Sequence, residues 1–361
     1  GGNPDSNGVG DFYYTPPTDF LALCTSNLPD PDIKLPGEHF NSVLYTGNGT
    51  SLAVTGVGFQ PDMVTVTSRS AATSSYCYDV IRGAGERMVW DGTYAESSIS
   101  GVTSFDSDGF TVGTETGNNL DTGSFVGWSW LAGGGAGSSN TDGDTNTTST
   151  SANVTAGFSI STLPAYSGST TFGHGLGAAP ELVIMKPFNG VDVWLVGADP
   201  IGWANGLVLN TEATVSANSV YWNNLAPTPS VVNIGAQGSA YTKVFYCFHS
   251  VAGYSRIGHY EGNGLADGPV FPLSFTPAFV MIKKFSGTGP WLIYDSKRIG
   301  YNQANYWLQA QVAVAENTAL HIDIMSNGIK IARSHGDENS SGGDYLVLAF
   351  AESPFKYSNA R

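Results

Sequence analysis

Pro277-Ala278-Phe279-Val280-Met281-Ile282 sets a proline before an unbroken apolar run, and the arrangement recurs at Pro61 before Met63-Val64-Thr65-Val66 and at Pro180 before Leu182-Val183-Ile184-Met185. Proline at a strand entrance forfeits only a ladder donor, and β-branched runs pack well on a pleated surface. Each run is preceded by a strand that enters a turn: Tyr45-Thr46-Gly47-Asn48-Gly49, Tyr166-Ser167-Gly168-Ser169 and Tyr260-Glu261-Gly262-Asn263-Gly264. Each is followed by an aromatic strand, Tyr76-Cys77-Tyr78, Val193-Trp194-Leu195 and Trp291-Leu292-Ile293-Tyr294. Copies one and three then carry Asp108-Gly109 and Asn327-Gly328 between apolar neighbours, dipeptides that two-residue hairpins favour because both central residues need positive φ. Every copy closes on an apolar strand, Phe125 to Trp130, Val244 to Phe248 and Tyr345 to Phe350.

A strand order repeated three times predicts an all-β chain of three tandem antiparallel β-sandwich-like modules, with short helices in the connections. The second copy diverges most, with Pro227 and Pro229 where a hairpin is expected. The boundaries follow from composition. Residues 1–36, marked by Pro16, Pro17, Pro29, Pro31 and Pro36, form an extended lead-in; 37–133 are the first module, 153–252 the second and 253–361 the third. Residues 134–152, almost wholly Gly, Ser, Thr, Asn and Asp, read as a flexible linker with nothing to bury. The Ala, Leu and Gln content of Gln303 to Glu316 predicts a short helix.

At 361 residues the chain is too long for a single core of ordinary size. Only 12% of residues are charged and 46 are glycine, a balance of short strands and tight turns. The formal net charge of −15 disfavours nucleic acid as a partner. No apolar run is long enough to span a bilayer as a helix, and no basic segment leads into an apolar one at the start. Gly1 in place of Met points to a processed product or part of something longer. Cys24, Cys77 and Cys247 share no spacing that suggests a disulfide framework or a zinc site.

Motifs for chemistry are near-misses. Gly173-His174-Gly175-Leu176-Gly177-Ala178 has the letters of a dinucleotide fingerprint, but Pro180 and a strand follow where a helix should begin, so it reads as a turn. Asp142-Gly143-Asp144-Thr145-Asn146 starts like a calcium loop, but Thr147 and Asn153 stand where glycine and glutamate belong. The six histidines, 39, 174, 249, 259, 321 and 335, have no metal spacing. No catalytic residue, metal or cofactor is expected, and the chain reads as a non-enzyme. Asp79 with Arg82 and Asp295 with Arg298 fall at the same distance after Pro61 and Pro277. Each pair is either a salt bridge that pins a turn or a clamp for a sugar.

Aromatic residues carry the positive functional signal. Trp203, Tyr221, Trp222, Tyr301, Tyr306 and Trp307 lie in irregular stretches between apolar strands, where a rigid scaffold commonly presents functional loops. Two readings stand: glycan-binding platforms, or side chains that cap the cores and fill subunit interfaces.

Several segments resemble a repeated domain of unknown function common in tail and fibre proteins of marine bacteriophages. They include Leu44-Tyr45-Thr46-Gly47-Asn48-Gly49, Gly58-Phe59-Gln60-Pro61-Asp62, Asp79-Val80-Ile81-Arg82-Gly83, Phe105-Asp106-Ser107-Asp108-Gly109-Phe110, Gly157-Phe158-Ser159-Ile160, Phe172-Gly173-His174-Gly175-Leu176-Gly177 and Ala351-Glu352-Ser353-Pro354-Phe355-Lys356-Tyr357. Asp11-Phe12-Tyr13-Tyr14-Thr15-Pro16-Pro17 with Phe20-Leu21-Ala22-Leu23-Cys24 is similar to the end of a SPRY or concanavalin-like lectin sandwich, implying such a domain upstream. Copy one departs from the pattern: Thr65-Val66-Thr67-Ser68 replaces the run that ends in Lys186 and Lys283 in the other copies, so any contact those lysines make should be missing there.

The resemblance implies a virion structural protein, a tail fibre or tail appendage adhesin that binds host cell-surface glycans. Its expected partners are copies of itself in a trimer and other virion proteins, with no membrane insertion. A capsid decoration or head fibre is the structural alternative. A glycan depolymerase is the enzymatic one, and it would need two carboxylates roughly 5–10 Å apart in a cleft.

Overall fold

Strands that are apolar at every position must be covered on both faces, and Tyr345 to Phe350 shows how this chain covers them. Tyr345, Val347 and Ala349 enter one cluster of buried side chains, whereas Leu346, Leu348 and Phe350 enter another. The same alternation splits Phe279 and Met281 from Val280 and Ile282, and Val244, Tyr246 and Phe248 from Phe245 and Cys247. Side chains two apart share a face. These strands therefore sit between two cores, which is why their sequences lack the polar alternation of a half-exposed strand.

The computed structural model describes residues 1–236, 240–298, 302–304, 306–318 and 322–358. It is all-β, with several antiparallel sheets. Six sheets occur among the described residues. The first large sheet runs Phe40–Thr46, Ser124–Trp130, Met63–Ser68, Tyr76–Asp79, Glu86–Val89, Ser97–Ser98. The second runs Ser149–Asn153, Phe158–Leu163, Lys243–Phe248, Leu182–Pro187, Leu195–Ala198, Asn205–Val208, Ser216–Ala217. The third runs Ser255–Glu261, Asp344–Pro354, Phe275–Lys284, Trp291–Asp295, Leu308–Gln309. In each, the closing apolar strand lies between the opening strand and the strand that follows the recurrent proline.

Each large sheet packs one face on a small sheet through its own cluster. Leu52–Thr55, Gly109–Val112 and Val102–Asp106 cover the first, where Phe110 and Val112 meet Val64, Val66 and Phe125. Thr170–Gly173 with Val231–Ile234 covers the second, and Val270–Pro272, Gly328–Ile331 and Ile322–Met325 cover the third. The hairpin forms one residue earlier than the Asp-Gly rule places it: Asp106 pairs with Gly109, so Ser107-Asp108 make the turn and Gly109 opens the next strand, as Gly328 does after Ser326-Asn327. Gly109 has φ 143, and a Cβ there would lie 2.0 Å from Val54 O.

The opposite faces of all three large sheets meet in one shared core, where Phe40, Trp128, Trp130, Phe158, Trp194, Phe248, Phe279, Trp291 and Phe350 are buried together. Phe40 stacks on Phe350 at 5.1 Å, Trp128 stands edge-on to Phe279 at 5.6 Å, and Phe248 packs on Phe350 at 5.9 Å.

Two local expectations change. The Gly/Ser/Thr/Asn stretch is not a free spacer: Ser149–Asn153 joins the second sheet, Ser138 bridges Thr150, and Thr147 and Ser151 are buried. Its hydroxyls supply the hydrogen bonds that its lack of apolar side chains left unforeseen. Thr147 Oγ1, for example, accepts from Asn140 N–H at 2.7 Å. Among the described residues of 303–316 there is no helix; Leu308 pairs with Ile293 in the third sheet, and Ala310 is buried. Burial of that apolar pair in a sheet outweighs helix propensity. Among the described residues the helices longer than a 3-10 turn are single four-residue turns, Thr116–Asn119, Ser219–Trp222 and Gly336–Asn339.

Candidate functional site

The aromatic residues singled out in the irregular stretches do not form an exposed platform. Trp203 and Trp222 stand edge to face at 5.6 Å inside the core of the second sheet pair, 7% and 0% exposed, with Tyr221 packed against them. Trp203 Nε1 donates to Asp199 Oδ1 at 2.6 Å. Trp307 is 8% exposed and belongs to the cluster under the third small sheet, and Tyr306 beside it is half-buried. Tyr301 lies outside the described residues. The three tryptophans therefore fill cores, and no open indole face is left for a sugar ring.

The paired acids and bases lie in the seams between large sheets. Arg82 Nε donates to Asp79 Oδ2 at 2.7 Å and Arg298 Nε to Asp295 Oδ2 at 2.5 Å, with all four side chains at most 2% exposed. Each pair closes its own turn, since the Arg82 and Arg298 N–H groups also donate to their aspartates. Each aspartate further accepts from a neighbouring sheet: Tyr246 OH donates to Asp79 Oδ2 at 2.7 Å, and Trp128 Nε1 to Asp295 Oδ2 at 3.1 Å. Tyr246 and Trp128 occupy equivalent places in their closing strands, and Leu348 is their counterpart in the third. At the same distances after Pro180, the second copy carries Ala198 and Ile201. Leu348, Ala198 and Ile201 all sit in the shared core. One seam is thus apolar where two are ionic.

A backbone contact repeats at all three seams and closes a ring. Glu96 N–H donates to Phe188 O at 2.7 Å, Val215 N–H to Phe285 O at 3.1 Å, and Glu316 N–H to Arg69 O at 2.9 Å. Phe188, Phe285 and Arg69 lie at the same distance after their prolines. The first sheet therefore holds the second, the second the third, and the third the first.

The lysines that copy one lacks work at the same seams. Lys186 Nζ donates to Asp192 O in its own turn at 2.6 Å and to Thr93 O of the first sheet pair at 3.1 Å. Lys283 Nζ donates likewise to Gly289 O at 2.5 Å and Glu212 O of the second pair at 3.0 Å. Burial pushes both ammonium groups down from 10.5 to about 8, with nearby acids opposing. Lys243, whose ammonium lies over the Tyr166 ring, is also pushed by burial to about 8. In copy one Thr67 takes the lysine's place and bonds Ser75, and Arg69 secures that seam instead through a fork on Glu316. The recurrent Asp and Arg spacing was legible; their distant partners Glu96, Glu316, Tyr246 and Trp128 were not, because nothing in a sequence pairs positions so far apart.

A cavity of about 340 Å3 opens at the seam between the first and second sheets, with Arg82 and Glu96 at its wall. Burial raises the Glu96 carboxyl, and Arg82 opposes the shift.

The lead-in is a hydrogen-bonded segment around Asp5. Asp5 Oδ1 accepts from Asn7 N–H and Val9 N–H, both at 2.9 Å, and Oδ2 from Ala22 N–H and Asn27 Nδ2, both at 2.7 Å. Burial works to raise this carboxyl, but the bonds from Ala22, Val9, Asn27 and Asn7 bring it down to about 2. Lys356 ties the lead-in to the chain end through Leu28 O and Asp30. Tyr13, Tyr14, Phe20 and Leu23 stand exposed on it.

An all-β protein of antiparallel sheets closed around a common core belongs, by sequence, to a family that has been defined without a function. Residues 35–354 match the DUF7483 family, a domain of unknown function, and the chain belongs to it. No curated protein matches the chain.

Proposed function

We propose that this chain is a structural protein of a bacteriophage particle, a tail fibre or other surface appendage, built from three tandem sandwich modules at 37–133, 153–252 and 253–361. The observation that carries this reading is the closed ring of seams. Buried ion pairs, lysines and indoles are spent on holding three sheet pairs to one core, which suits a rigid body that must persist on a particle exposed to solvent. The core is completed within one chain, so a homotrimer would add a second level of assembly. The exposed apolar side chains of the lead-in suit attachment to other virion proteins. Adhesion to host glycans is the second part of the proposal, and it would use surfaces other than Trp203, Trp222 and Trp307. A decoration or head-fibre role is favoured over adhesion by the burial of these indoles.

Cryo-electron microscopy of the intact particle tests the reading. Density for the ring on a tail appendage supports the fibre assignment, and density on the shell selects decoration. A particle without it refutes both. A glycan array probed with the purified chain then tests the adhesive part.

A further inference from the structure

Two of the three seams carry an acid at the same place, and they satisfy it differently. Glu316, at the seam of the third and first sheets, has both oxygens engaged: Arg69 Nε donates to Oε2 and Nη2 to Oε1, each at 2.9 Å. Arg298 Nη1 adds a bond to Oε2 at 3.3 Å. Glu96, at the seam of the first and second sheets, takes Arg82 Nη1 on Oε2 at 3.2 Å, and no donor among the described residues reaches its Oε1. The backbone frame is the same at both, but Phe188 stands where Arg69 stands.

Where the Arg69 guanidinium would project, this seam has the cavity of about 340 Å3, lined by Glu96, Phe188, Leu163, Thr148, Thr162 and Thr242 among others. Thr162 Oγ1 and Thr242 Oγ1 are buried without a partner among the described residues, and Thr162 is 5% exposed. Buried polar atoms ordinarily find partners. The charged side chains lining this wall are Arg82 and Glu96, one positive and one negative, and Arg82 is already paired with the buried Asp79 behind it.

The geometry points to this cavity as a binding site for a guanidinium group, that of an arginine side chain supplied by another polypeptide. A guanidinium has five N–H donors and no acceptor, and the wall offers a carboxylate oxygen and the lone pairs of two hydroxyl oxygens to accept from it. Its planar fork matches a carboxylate in two parallel bonds, the arrangement Arg69 makes on Glu316. The Phe188 ring gives a face on which a flat cation stacks. With Arg82 held by Asp79, the open Oε1 of Glu96 favours a cation over a neutral sugar. This site does not depend on where the protein sits on a particle.

The full chain would be titrated with L-argininamide, L-lysinamide and D-glucose at low ionic strength, by calorimetry and by NMR shifts. Saturable one-to-one binding of argininamide, stronger than that of lysinamide, is expected. Glu96→Gln should weaken it about tenfold or more, as loss of a charge-assisted pair does. Thr162→Val should weaken it while leaving the melting temperature unchanged or higher, which separates binding from folding. Phe188→Arg, which rebuilds the fork of the other seam, should abolish binding and raise the melting temperature. Three results would each overturn the proposal: no saturation in the millimolar range, glucose bound in preference, or unchanged argininamide binding in Thr162→Val and Phe188→Arg.

Discussion

Replacing Asp295 and Arg298 by the residues of the second copy, Ala and Ile, tests whether the seams are held by coupled charges. Asp295→Ala alone leaves the Arg298 guanidinium at 0% side-chain exposure with, among the described residues, Ile293 O, a 3.3 Å contact to Glu316 and the Trp128 ring face. Removing one partner of a buried pair costs about 3–5 kcal/mol. Arg298→Ile alone leaves the Asp295 carboxylate buried against Trp128 Nε1 and two backbone N–H groups, and should cost a similar amount. The double variant removes both charges, and Glu316 keeps the Arg69 fork. Its remaining penalty is the loss of the carboxylate as acceptor for the Trp128 indole N–H, about 1–3 kcal/mol, and for the backbone N–H groups of residues 297 and 298, which the Asp295→Ala single variant loses as well. Adding Trp128→Phe should recover part of that. The coupling energy of the pair is then about 3 kcal/mol or more, read from urea unfolding midpoints of the four chains at constant slope. Single variants that cost under about 1 kcal/mol, or a double variant equal to the sum of the singles, would refute the view of this seam as a buried, coupled pair.

The shared core predicts that all three sheet pairs unfold together: calorimetric and van't Hoff enthalpies should agree, whereas three independent units would give a ratio well above one. The lysines predict an unusual pH profile. Lys186, Lys243 and Lys283 are held at about 8 from 10.5, so between these values the unfolded chain binds more protons and stability rises with pH. Above pH 10 the unfolded tyrosines ionise while buried Tyr246, Tyr260 and Tyr294, raised by burial, do not, and stability falls again. Urea midpoints from pH 7 to 11 should pass through a maximum near pH 9–10, and Lys283→Met should flatten the rise. Gly109→Ala should cost about 2–4 kcal/mol, because positive φ and the Val54 carbonyl both oppose a Cβ, and thermal melts check it.

The parts of the fold legible in the sequence are those written locally. The proline before Phe279, the hairpin near Asp108-Gly109 and the unbroken run from Tyr345 to Phe350 each specify a strand or turn within a few residues, and the structure has them, with the turn itself at Ser107-Asp108. What covers each of the two faces of that run was not written anywhere near it. Composition misled where hydrogen bonds replace apolar contact, as at Thr147 and Ser151, and where a short sheet edge claimed Leu308 from a helix-favouring stretch. Among the site residues, irregular surroundings suggested exposure for Trp203 and Trp222, but their contacts come from strands elsewhere in the chain. The recurrence of Asp79 with Arg82 and Asp295 with Arg298 was visible; that each aspartate also takes a donor from a neighbouring sheet was not.

The ring closed within one chain has an evolutionary corollary. When three identical subunits assemble around an axis, one codon change alters every junction at once, so a junction cannot be modified without risking closure. Here each junction is encoded separately, and the three differ: an acid-base pair under a phenol, another under an indole, and at the third Leu348 and Ala198 in the shared apolar core. Selection can therefore remodel one of them for a new partner while the other two keep the circle shut.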